Sequence, residues 1–92
     1  MNVAEALRQR LMALAPSQLD IRDDSARHAG HAGAASGGHY VLSIVAARFA
    51  GLGTIQRHRL VYDAAGDLMQ HGIHALSIAA KTPEEAQQRN PL

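Results

Sequence analysis

Residues 57–76 read RHRLVYDAAGDLMQHGIHAL, a helical pattern that stops at a glycine and continues as a short apolar strand. At about 100° per residue, Val61, Tyr62, Ala65, Leu68 and Met69 fall on one arc. His58 lies near the middle of that arc, Arg57 and Arg59 at its edges, and Leu60 well off it. The pattern predicts a helix from Thr54 to about His71, weakened by Gly66, which costs roughly 1 kcal/mol against alanine in a helix interior. Gly72 suits the residue just past the helix, and His71 suits the negative end of its dipole. Ile73 to Ala80 then reads as a strand, with His74, Leu76 and Ile78 on one face.

Upstream, Gly51-Leu52-Gly53 breaks the backbone after an anchoring Phe49. A strand is expected over His39–Val45, with Tyr40, Leu42 and Ile44 on one face. Leu19 to Arg22 alternates as a second strand, and adjacency in sequence favours an antiparallel pair. Between them, DSARHAGHAGAASGG reads as a mobile loop over 24–38. At the N-terminus, Asn2 and Glu5 form a capping pattern, Val3, Leu7, Leu11 and Leu14 make an apolar stripe, and Pro16 stops the helix. Downstream, Thr82-Pro83-Glu84-Glu85 is a helix start, and residues 87–92 read as a disordered tail. The expected order is α-β-β-α-β-α in one α+β domain spanning 1–92, a three-stranded sheet covered by helices.

Composition narrows the chemistry. The chain has 92 residues, no cysteine, three aromatics and six histidines. Lacking thiols, it forms no disulfide and offers no thiolate ligand of its own. No apolar run approaches the ~18 residues of a membrane span, and the charged, amphipathic N-terminus is unlike a signal peptide, so a cytoplasmic protein is expected. A net charge of +1 does not argue for nucleic acid, although protonating all six histidines would raise it to +7. No Ser-His-Asp arrangement, paired carboxylates or phosphate loop is visible, so enzymatic activity has no support.

Three constellations bear on binding. Arg57 and Arg59, with Arg48 nearby, form a candidate phosphate-contacting patch, while helical phase assigns His58 to the core. No aromatic interleaves the patch to stack bases. Gly30-His31-Ala32-Gly33 matches a GXXG loop, but between strands rather than helices. His28 and His31, and His71 and His74, have the spacing of metal pairs, yet a glycine-rich loop fixes no geometry and Gly72 interrupts the second pair. From the residues alone, His74 reads as a structural histidine at a strand start.

Together, Phe49-Ala50-Gly51, Arg57-His58-Arg59-Leu60-Val61-Tyr62, Ile73-His74-Ala75-Leu76 and Thr82-Pro83 resemble the BolA family over nearly the whole chain. Asp24-Ser25 and the His39-aromatic pair agree with that pattern. The resemblance implies a class II KH-like fold with a helix-turn-helix-like segment. It also implies partnership with a monothiol glutaredoxin and a shared 2Fe–2S cluster, ligated by the glutaredoxin cysteine, glutathione and this chain. His74 matches the family's C-terminal histidine ligand, and His28, with His31 as rival, matches the loop ligand. Imidazole on one iron raises the cluster potential. The implied role is iron homeostasis or cluster handling. The alternative is a DNA-binding transcriptional regulator using Arg57, Arg59 and Arg48, and a third reading is a scaffold that docks without a cluster. The free chain is expected to be a monomer or weak homodimer.

Overall fold

The computed structural model describes residues 2–24 and 38–87. The expected loop, with His28, His31 and the GXXG match, and the expected tail beyond residue 87 lie outside the described residues.

Asn2 opens α1 (Val3–Leu11), its Oδ1 accepting from the amides of Ala4 at 2.8 Å and Glu5 at 3.4 Å. The α-helix is shorter than the predicted Val3–Leu14. Its last turn tightens into a 3₁₀ segment, Met12–Leu14, before Ala15 adopts φ 52°. Pro16 disfavours the right-handed helical conformation at Ala15, so the helix has to end there. Leu7, Leu11 and Leu14 are buried.

Strands β1 (Gln18–Asp23) and β2 (Gly38–Val45) pair antiparallel, Leu19 opposite Ile44 and Ile21 opposite Leu42. Strand β3 (Ile73–Lys81) runs parallel to β2, giving sheet order β1-β2-β3. Tyr40, Leu42 and Ile44 turn towards the helices, with Leu76, Ile78 and Ala80 beside them on β3. The opposite face is open, bearing Asp20, Arg22, Ser43, Ser77 and Ala79.

Helix α2 covers Thr54–Ala65, six residues short of the predicted end at His71. Gly66, at φ 57° and ψ −130°, breaks it, and a 3₁₀ turn follows over Gly66–Met69. Arg10 of α1 donates to the Ala65 carbonyl at 2.9 Å and also pairs with Asp67, satisfying an orphaned helix end. A Cβ at Gly66 would lie 3.0 Å from that arginine's Nη1. The phase of α2 also differs from expectation. Val61 and Ala65 are fully buried, Leu60, Ala64 and Leu68 pack against the core, His58 is half-buried and Tyr62 is 41% exposed. Arg57, Val61 and Ala64 span only about 60° of the helix, so Arg57 sits on the core side and His58 at the margin.

Thr82 caps α3 (Pro83–Gln87) as expected. Its Oγ1 accepts from the Glu85 amide at 3.1 Å, and Glu85 Oε1 accepts from the Thr82 amide at 3.0 Å. Among the described residues no helix is long and apolar enough to cross a membrane.

Candidate functional site

His74 does not share a face with Leu76 and Ile78. Gly38 pairs with Ile73, but His39 pairs with Ala75, so His74 is the extra residue of a β-bulge. The bulge re-phases the strand. Ile73 turns into the core at 4% exposure, while His74 is exposed. Strict period-two counting failed here because a single inserted residue swaps faces.

The outward turn places His74 beside His39, ring centroids 5.1 Å apart and planes tilted by 41°. These histidines come from the starts of two parallel strands. Nothing local in the sequence brings them together, although two histidines each opening a strand was the available signal. The residues that flank 25–37 lie at the same corner: the Asp24 amide donates to the His39 carbonyl at 2.7 Å, and the Gly38 amide to the Gly72 carbonyl at 3.1 Å. Gly72, at φ 151°, makes the entry into β3, and a Cβ there would meet Val3 Cγ2 at 3.0 Å. Beneath the corner, Tyr40 closes over Gly38. Burial, followed by the Asp23 carboxylate, pushes its phenol above the usual range.

The described residues contain no group of three His, Cys, Asp or Glu able to hold a metal ion. An exposed imidazole such as that of His74 can complete a coordination sphere whose remaining ligands come from another molecule. Among the described residues, the exposed His74 imidazole fits a centre shared with a second molecule.

The arginine patch is divided by the fold. Arg57 Nε donates to the Leu52 carbonyl at 2.8 Å and Nη1 to the Ala80 carbonyl at 3.0 Å. The guanidinium also grips Glu85 bidentately, at 2.6 and 2.9 Å, and lies 6.0 Å from the centroid of the Phe49 ring. That hydrogen bonding, with help from the Thr82 amide, holds the Glu85 carboxyl down at about 2, and raises the pKa of Arg57. Arg57 is thus turned inward, while Arg48 and Arg59 are exposed. Glu85 was missed as a partner because it lies 28 residues away.

Comparison with known proteins places this architecture. A family model described as BolA-like protein matches residues 11–85. BolA-like protein 1 of Mus musculus is 40% identical over 84 residues, which cover 90% of this chain and 60% of that protein. SufE-like protein 1, chloroplastic/mitochondrial, of Arabidopsis thaliana is 43% identical over 91 residues, covering 92% of this chain but 24% of its own length. The chain therefore spans less than two thirds of either relative. The DNA-binding transcriptional regulator BolA of Haemophilus influenzae is 31% identical, with 98% of this chain and 86% of that protein covered. Among solved structures, BolA1 from Mus musculus superposes with a TM-score of 0.81 at 36% identity, covering 100% of this chain and 74% of the other. The α+β fold, its three-stranded sheet and its helices match those relatives, and the chain belongs to the BolA family.

Proposed function

We propose that this chain is a non-enzymatic partner of a monothiol glutaredoxin, sharing a 2Fe–2S cluster in iron homeostasis or cluster handling. The observation that carries the reading is the bulge, which turns His74 out of the core and sets it beside His39. His74 is the primary ligand. The second is assigned to His28, with His31 as its rival, in a segment whose flanking residues Asp24 and Gly38 lie at this corner. Glutaredoxin and glutathione supply the thiolates that this cysteine-free chain lacks. Imidazole ligation tunes the potential of the iron it holds.

The test is to mix the purified chain with cluster-loaded monothiol glutaredoxin and follow visible absorption and circular dichroism. Wild type changes the spectrum and His74→Ala does not. An unchanged response in His74→Ala overturns the ligand assignment. His28→Ala, His31→Ala and His39→Ala then apportion the second position.

A second reading, DNA binding, has support in the exposed Arg48 and Arg59 and in the name carried by the Haemophilus relative. It requires salt-dependent affinity that falls in Arg59→Ala. Arg57 contributes through the fold in that reading, since its guanidinium is occupied by Glu85.

A further inference from the structure

The two edges of the sheet differ in kind. Edge strand β1 carries Asp20, Arg22 and Asp23, the charges with which natural sheets discourage further pairing. Edge strand β3 has no Asp, Glu, Lys, Arg or proline from Ile73 to Ala80. Its backbone phase can be read from two contacts. The Lys81 carbonyl accepts from the Ala46 amide at 2.9 Å, so Lys81, Ala79, Ser77 and Ala75 bond inward to β2. Leu76, Ile78 and Ala80 therefore point their amides and carbonyls at the free edge. Arg57 occupies the Ala80 carbonyl. Among the described residues, nothing hydrogen-bonds to the outward groups of Leu76 and Ile78.

This free segment reads Ala75-Leu76-Ser77-Ile78-Ala79, which is symmetric by residue class about Ser77. We propose that β3 pairs antiparallel with β3 of a second copy of this chain, with the two-fold axis at Ser77, to give a continuous six-stranded sheet. In that register Leu76 and Ile78 of the second copy form a hydrogen-bonded pair, repeated once by symmetry, and all the outward amides and carbonyls of the free segment are satisfied. On the helix side the half-buried Leu76 and Ile78 side chains meet as apolar cross-strand pairs. On the open face Ala75 meets Ala79 without crowding, and the two Ser77 hydroxyls face each other across the axis. Arg57 and α3 limit the pairing at Ala80. The symmetry of the segment is what selects a second copy over an unrelated strand, since a foreign strand has no reason to need it.

The experiment exploits the lack of cysteine. At a non-hydrogen-bonded antiparallel pair the Cα atoms stand about 4.5 Å apart, within disulfide reach. Ser77→Cys in the full chain forms a disulfide dimer under mild oxidation, while Ser43→Cys, exposed on the same open face of β2, does not. Ser77→Lys sets two like charges across the axis and weakens dimerisation, measured by sedimentation, up to about fivefold without altering the monomer's circular dichroism. Exchange of the Leu76 and Ile78 amides slows as protein concentration rises. Equal cross-linking of the two cysteine variants overturns the proposal, as does exchange at those amides that is independent of concentration. Protection seen only when a foreign protein is added assigns the edge to that partner and overturns it equally.

Discussion

At the end of β3, Arg57 donates to two carbonyls and both oxygens of Glu85, and the guanidinium lies over Phe49. At the start of the same strand, His74 is pushed outward by a bulge and meets His39 on an open face. The first region engages its charge in holding three elements together, α2, β3 and α3. The second leaves the His74 imidazole exposed, where another molecule can reach it. A conspicuous cation is not thereby a binding residue: what matters is whether the fold has already satisfied its donors.

If the clasp is structural and the corner functional, substitutions should separate them. The largest effect is expected beneath the clasp. Phe49 is fully buried, and Phe49→Ala should cost about 3–5 kcal/mol in chemical denaturation. The tighter of the two glycines at the corner is Gly38, where a Cβ would stand 2.5 Å from Tyr40 Cε2. Gly38→Ala should cost about 1–3 kcal/mol, and a neutral result would mean that the Tyr40 ring moves freely.

Acid probes the clasp directly. Glu85 titrates at about 2 in the fold against an ordinary 4.5, so its contribution is complete above about 4.5 and is lost as pH falls towards 2. Asp67, lowered by Arg10, acts in the same direction. Melting temperature followed through this window should fall less steeply in Glu85→Gln, and an unaltered slope would remove the clasp from the account. The smallest stability effect belongs to the corner. His74→Ala should change stability by no more than about 0.5 kcal/mol while abolishing the spectral response to cluster-loaded glutaredoxin. A large loss of stability would make His74 a structural residue after all.

Much of the architecture was legible because it is written in local terms. Asn2, Thr82 with Glu85, and Pro16 mark helix ends through contacts within a few residues, and period two located all three strands. The misreadings involve longer reach. Gly66 looked like a flaw inside a helix, but with Arg10 closing on the Ala65 carbonyl it is the end of one. Helical phase assigned His58 to the core and Arg57 to its edge, on an arc drawn through Leu68 and Met69, which lie beyond the end of α2, and without sight of the acceptors that draw Arg57 inward. Those acceptors are Leu52, Ala80 and Glu85, the last two on other elements.

By itself the sequence determined the kinds of element, their order, the absence of any thiolate ligand and, through its motifs, the family. Tertiary structure alone decided which histidine faces outward and which arginine faces inward. A bulge depends on the register of a neighbouring strand, and a guanidinium can be buried only where distant carbonyls and a carboxylate converge to replace its water.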